Sequence, residues 1–392
     1  MWRLRGGAAM GSDISPRRRS HMIIDAHNHV LAAGLYPGYE RFIKEMTMGY
    51  FQSRGSLPED RDPQDEDWKG LEYLWEPIDP QTLIRDHAGI GVDKCTILAV
   101  APSQYTRYEA RGTVDIAGVT GVEGPPDIDK GNDYIAALVR QHPDTFIGMS
   151  AVNPRHRGVK AAVDELERAI TNLRLSGLKL YPMYDHWAPN DRDLAFPIFA
   201  KAAELDIPVM VHLSTTPVGD TVLLFGWPVL LDDVARAFPN LRLLVCHSGH
   251  PWVDECMVLI SRHRNVYLDM SFLNSTLNQR ETYGFLRRAR QLGCPLSRVC
   301  WATDYPGFEF PETLLPKLAL VNRSAGDDPP IPQNDIARML GGNYSRFLGV
   351  DWSLEETLDQ MRSLEPTWSD ILNPPPRGAA PEPPRQPHHR CC

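Results

Sequence analysis

The 392-residue sequence predicts a (β/α)8 barrel, on three observations. From Met22 onward, short β-branched runs alternate with helical patterns, a rhythm of parallel strands joined by helices rather than of an antiparallel sandwich. Several runs, IPVMVHL and LRLLVCH most clearly, are apolar throughout, as strands covered on both faces are. Histidines and acids stand at the C-terminal ends of several runs, and in a parallel barrel those ends meet at one mouth. A flat doubly wound sheet satisfies the first two observations but not the third.

The first run covers residues 22–30 (MIIDAHNHV), and the second, 94–100, follows a short helical stretch around Thr82. The third, 145–152, follows a helix carrying Tyr134, Ala137, Leu138 and Val139. The fourth, 177–181, comes after VKAAVDELERAITNL, whose apolar positions recur at helical spacing. The fifth, 208–213, follows a helix over 195–205. Runs at 241–246, 266–270 and 299–302 complete the set. Each connection is long enough for a right-handed crossover. Two segments break the repeat, at 31–80 and 103–129, both after strand ends where barrel loops build a site. They hold Tyr50, Trp68, Tyr73, Trp75, Tyr105 and Arg107 and read either as substrate-selecting loops or as an ordinary decorated surface. Two or three helical patterns extend the barrel over 311–372.

Length and composition agree with one decorated barrel at 22–372, a disordered leader at 1–21 and a disordered Pro-rich tail at 373–392. Hydrophobic residues make up 42% and charged residues 23%, the usual mix of a globular enzyme. The formal charge of −9 and pI near 5.8 argue against nucleic acid or an anionic membrane as partner, and no apolar run is long enough to span a bilayer. The leader is basic but lacks the apolar core of a signal peptide. Seven scattered cysteines fit a reducing cytoplasm better than a disulfide framework. Cys95, Cys246 and Cys300 lie in apolar runs as small buried hydrophobes, whereas Cys391 and Cys392 end the tail.

The chemistry lies in residues at strand ends. In DAHNH, His27 and His29 are two apart and project together from an extended strand. The fifth run places His212 at the same mouth, and the eighth, ending CWATDYP, places Asp304 there. Each alone has an ordinary explanation: chance spacing, a hydrogen-bonded core histidine, a helix cap. Together, three imidazoles and a carboxylate from strands one, five and eight form a nitrogen-rich set suited to Zn2+, with Mn2+ as second choice.

In the order IIDAHNH, GLKLYP, VMVHLS, CHSGHPW, NVYLDMS and WATDYP, the chain resembles the amidohydrolase superfamily, in the amidohydrolase-2 branch that includes aminocarboxymuconate-semialdehyde decarboxylase. The resemblance covers most of the chain and implies a TIM barrel, metal ligands at His27, His29, His212 and Asp304, and a possible homodimer. It further implies that His247 sits beside the metal and polarises substrate or positions the attacking water, a role requiring a fixed donor or acid. His250 reads as a locally bonded helix-start residue. Lys179 has three readings: a carboxylated bridge between two metals, an ammonium for a substrate carboxylate, or a partner of Asp185. Tyr181, Tyr184, His186 and Trp187 follow it and are pocket candidates. Asp269, a carboxylate in an apolar run, needs a partner and can orient a histidine.

The expected activity is metal-dependent hydrolysis of a small carbonyl compound, with metal-activated water, Asp304 moving the proton and His247 stabilising the oxyanion. The Lys179 motif favours this reading. The alternative is non-oxidative decarboxylation of an aromatic or unsaturated carboxylic acid on the same residues, and a barrel kept as a binding module is opposed by the complete ligand set.

Overall fold

A computed structural model describes residues 23–30, 79–100, 130–216, 221–306 and 311–373. Eight strands, β1 Ile24–Asn28, β2 Lys94–Leu98, β3 Phe146–Ala151, β4 Gly177–Leu180, β5 Val209–Val211, β6 Leu243–Val245, β7 Val266–Asp269 and β8 Val299–Cys300, pair in parallel in sequence order. Each lies within its predicted run and is shorter, because the flanking residues turn out of the ladder at the rim. The sheet curls into a nearly closed barrel. Between β8 and β1, Asp304 N–H donates to the His27 carbonyl at 3.0 Å, and His29 N–H to the Tyr305 carbonyl at 2.8 Å.

Helices α1 Pro80–Ala88, α2 Lys130–Gln141, α3 Val159–Thr171, α4 Phe196–Glu204, α5 Leu231–Ala237, α6 Val253–Arg262 and α7 Gln279–Gln291 fill the connections. Local sequence fixes where they start. Asp79 caps α1 by accepting from Gln81 N–H, with Pro80 in the first turn. Asn278 and Glu281 form a reciprocal capping box on α7. On α3 the buried residues are Ala162, Leu166 and Ala169, one face at helical spacing. The extension comprises α8 Pro311–Ala319, α9 Gln333–Ala337, a π turn at Arg338–Gly342, α10 Asn343–Leu348 and α11 Leu354–Leu372.

The core has two layers. Ile24, Ala26, Leu98, Met149, Met210, Leu244, Cys246, Tyr267, Cys300 and Ala302 fill the barrel interior, joined from α10 by Tyr344 and Phe347. A larger shell, including Ile23, Ile97, Leu178, Leu180, Val209, Val211 and Leu268, packs strands against helices. Cys95, Cys246 and Cys300 are buried free thiols, as expected.

One irregularity shapes the site. On β1 the register runs from Asp25 opposite Cys95 to Asn28 opposite Ile97, three residues against two. This is a β-bulge, which re-aims side chains at a strand end. Ile24 and Ala26 pack inside the barrel. Asp25 meets α1, and His27 meets the ends of β4 and β7.

Apart from Asp79, Pro80 and Asn373, the segments at 31–80, 103–129, 1–21 and 373–392 lie outside the described residues, with Tyr50, Trp68, Tyr73, Trp75, Tyr105, Arg107, Cys391 and Cys392. Among the described residues no helix is long and apolar enough to cross a membrane.

Candidate metal centre

At the mouth, His27, His29 and Asp304 offer ligand atoms within 4.8 Å of one another. Asp304 Oδ1 lies 3.4 Å from His27 Nε2 and 3.5 Å from His29 Nε2. Asp304 follows β8 at φ +64°, a backbone conformation uncommon outside glycine, so it sits in a sharp turn rather than capping a helix. Burial opposes its ionisation, but His247, His27 and His29 together hold the carboxyl well below the usual range. Burial also pushes His29 below the ordinary imidazole value.

A chain of hydrogen bonds anchored on Asp269 fixes the imidazole tautomers. A carboxylate only accepts. Asp269 Oδ2 therefore takes the Nδ1–H of His27 at 3.0 Å, which leaves His27 Nε2 facing Asp304 and His29 with its lone pair. Asp269 Oδ1 takes the backbone N–H groups of His247 and Ser271 and, in a short contact, the Ser271 hydroxyl. With that proton committed, Ser271 Oγ accepts from His247 Nδ1 at 2.9 Å. His247 Nε2 must then accept from His212 Nδ1 at 3.0 Å. The chain ends at His212 Nε2, an unprotonated, buried nitrogen with no hydrogen-bond partner among the described residues. Such an orphan is costly unless something coordinates it.

The donor set fits a divalent cation: the Nε2 lone pairs of His27 and His212, the His29 imidazole, one carboxylate, and the Asp269 carboxylate behind His27. His212 stands outside the group of three that lie within 4.8 Å of one another. Burial, with His247 and Lys179 adding to it, pushes its pKa well below the ordinary value, so it stays a neutral donor. Burial likewise takes His247 down to about 3. Asp269 is held in the opposite sense: burial would raise it, but His27 pulls it low.

Lys179, fully buried on β4, donates to the Cys246 thiol at 2.9 Å and approaches His27 Nε2 at 3.4 Å. It does not pair with Asp185. Tyr184 stands edge-on to His212 at 4.9 Å, and Tyr181 lies 6.4 Å from the same ring, so both flank that imidazole. His186 and Trp187 follow in the turn, where the His186 carbonyl accepts from Arg155. The His250 ring lies against Phe272, and its carbonyl holds Ser214 and Thr215, away from the ligand atoms. Ser271, Asp25, His87 and Thr303 belong to the surroundings of the site but carry no motif of their own. Asp25 lies in DAHNH, yet only the bulge reveals that it faces away from His27.

The amidohydrolase family model Amidohydro_2 matches residues 24–350. The chain is 25% identical over 249 residues to the 2-amino-3-carboxymuconate-6-semialdehyde decarboxylase of Dictyostelium discoideum, covering 56% of this chain and 66% of that protein. It is 27% identical over 136 residues to the 2-keto-4-carboxy-3-hexenedioate hydratase of a Sphingobium species, covering 30% of this chain and 39% of the relative. The matched spans thus fall short of two thirds of either relative's length. In fold it is similar to the 5-carboxyvanillate decarboxylase of Novosphingobium aromaticivorans, solved with manganese and 3-methoxy-4-hydroxy-5-nitrobenzoic acid. That likeness has a TM-score of 0.53 at 17% identity and covers 85% of this chain and 98% of that one. Since the family model spans all eight strands and every candidate ligand, the chain belongs to the amidohydrolase family.

Proposed function

We propose that the protein is a metal-dependent decarboxylase of a small aromatic or unsaturated carboxylic acid. The observation that carries the metal is the buried His212 Nε2, without a hydrogen-bond partner among the described residues at the end of a fixed proton chain. His27, His29, His212 and Asp304 would hold the ion. When bound, a divalent cation supplies a Lewis acid that orients and neutralises oxygen ligands.

Decarboxylation displaces hydrolysis as the preferred reading for two reasons. The Dictyostelium relative is a decarboxylase, and so is the Novosphingobium protein of like fold. In addition, the Lys179 motif that favours hydrolysis suits a carboxylic acid as well, since a buried amine beside His27 can meet a substrate carboxylate. The Sphingobium relative makes hydration the second reading.

The chain's own residues then divide the work. Asp269 and Ser271 hold His27 and His247 in single tautomers, so the site is organised before substrate arrives. His247 keeps its proton on Nδ1, 3.8 Å from Asp304 Oδ2. That N–H is held by Ser271 Oγ, while Asp304, whose carboxyl is a strong acid among the imidazoles, relays a solvent proton to the carbon as the carboxylate leaves as CO2. Atoms balance: one carbon–carbon bond breaks, its electron pair stays on the substrate carbon, and one proton replaces the lost group. Tyr181 and Tyr184, flanking His212, suit a planar substrate. The test is CO2 release from a panel of hydroxybenzoic and unsaturated dicarboxylic acids by protein stripped of metal and reconstituted with Mn2+ or Zn2+. Release that depends on the metal supports the proposal, whereas hydrolytic turnover without CO2 would falsify it.

A further inference from the structure

Behind the ligand atoms, on the helix side of the barrel wall, lies a second buried polar set. Asp25 is fully buried and its carboxylate accepts four hydrogen bonds. Oδ1 takes the backbone N–H of His27 at 3.1 Å and of Thr303 at 3.0 Å. Oδ2 takes His87 Nε2–H at 2.9 Å and the Thr303 hydroxyl at 2.5 Å. His87, on α1, is itself 1% exposed and directs its other nitrogen at the Leu83 carbonyl, 2.9 Å away. Both ring nitrogens therefore face acceptors, which a histidine satisfies only as the doubly protonated ring. Tyr305 closes the set, its ring edge-on to His87 at 5.3 Å and its hydroxyl on Asp86.

The position of this set matters more than its composition. Asp25 binds the backbone of a candidate ligand, His27, and of the residue before another, Asp304. It does so at the seam where the barrel closes, beside the Asp304-to-His27 and His29-to-Tyr305 backbone hydrogen bonds. Asp25 faces outward to α1 by ordinary alternation with Ile24 and Ala26, and the bulge that follows it turns His27 to the opposite side. Asn28, in the same bulge, is tied to Thr96 on the other side. An ordinary strand pair would close the seam without a buried charged pair, whose desolvation is costly.

We infer that Asp25, His87 and Thr303 are positioning residues that set the spacing between the strand-one ligands His27 and His29 and the strand-eight ligand Asp304. The inference rests on the metal reading above. It assigns α1, which carries no ligand, a part in metal affinity through one imidazole. Loss of an outer-shell partner of this kind typically weakens metal binding by about 10- to 100-fold.

The experiment is calorimetric titration of the chelator-stripped full chain with Mn2+, beside thermal unfolding of the same apoprotein samples. Asp25→Asn, which keeps size but can no longer accept at all four positions, and His87→Leu are expected to weaken Mn2+ binding by about 10- to 100-fold. His87→Gln, which can present an amide N–H toward Asp25, should recover most of that loss. Leu166→Ala, a cavity on α3 outside the set, should lower the unfolding temperature with unchanged Mn2+ affinity. If Asp25→Asn does not fold, Thr303→Val and His87→Leu carry the same expectation, with His87→Gln as the recovering variant. Wild-type affinity in folded Asp25→Asn and His87→Leu overturns the inference alone, as does an equal loss in Leu166→Ala. Wild-type protein that takes up neither Mn2+ nor Zn2+ overturns the metal reading and this inference with it.

Discussion

His212 and His247 share one hydrogen bond, yet their removal should have different consequences. His212→Ala deletes the imidazole whose Nε2 has no partner among the described residues. Metal affinity should fall by more than the roughly 100-fold upper range of an outer-shell loss, read by metal titration. His247→Ala leaves the four ligands in place and removes only the acceptor behind His212, so metal affinity should fall by no more than about 10- to 100-fold and at saturating metal turnover should still drop by about 100-fold or more. The reverse pattern would exchange their roles. His87 gives a pH dependence at the same scale. Burial opposes its charge, but the Asp25 carboxylate at 2.9 Å outweighs it and holds its pKa well above the ordinary value. A raised folded pKa means that the stabilisation is complete below the unfolded value, about 6.5, and is lost as pH rises through the folded one. The stability gap between wild type and His87→Leu in urea should therefore narrow from pH 6.5 upward. A gap that widens would mean that His87 is buried neutral. The four ligand candidates could be read from sequence because each follows an apolar run whose end must lie at the mouth. Ser271 and His87 could not, since a serine in DMSF and a histidine in a polar helix acquire meaning only from the partner that folding supplies.

At the scale of elements, the eight runs and their helices were legible because parallel strands buried on both faces leave a continuous apolar signature, VMV in β5 and LLV in β6 among them. The bulge was not. It is one extra residue against β2 within a run that alternation describes as regular, and it separates the direction of Asp25 from that of His27. Nor was Asp304 recognisable as a left-handed turn residue, because an aspartate after a strand equally suits a cap. Backbone strain elsewhere provides a simple check. Arg174 is exposed in the turn after α3 at φ +62°, where a Cβ costs about 1–2 kcal/mol. Arg174→Gly should stabilise the protein by up to about 1 kcal/mol after the entropy cost of glycine. A loss of stability in urea unfolding would show that Arg174 is held by contacts that outweigh the strain.

For the whole molecule, an ion joining strands one, five and eight would tie together parts of the barrel that lie far apart in sequence. Because binding favours only the folded chain, Mn2+ at about 100 times its Kd should add about 2.7 kcal/mol to stability. Thermal scans of apoprotein with and without the ion check this, and no shift would mean that the site is not a metal centre. The same scale holds the central claim, that this member of the amidohydrolase family removes CO2 from its substrate. The most direct test offers Mn2+-reconstituted protein a series of carboxyl-labelled aromatic and unsaturated acids and measures labelled CO2, with chelator-treated protein and Asp304→Asn alongside. The account predicts release by the reconstituted wild type and at least a 100-fold loss in both controls. Turnover of an ester, lactone, amide or enol by the same preparation with no labelled CO2 would contradict it.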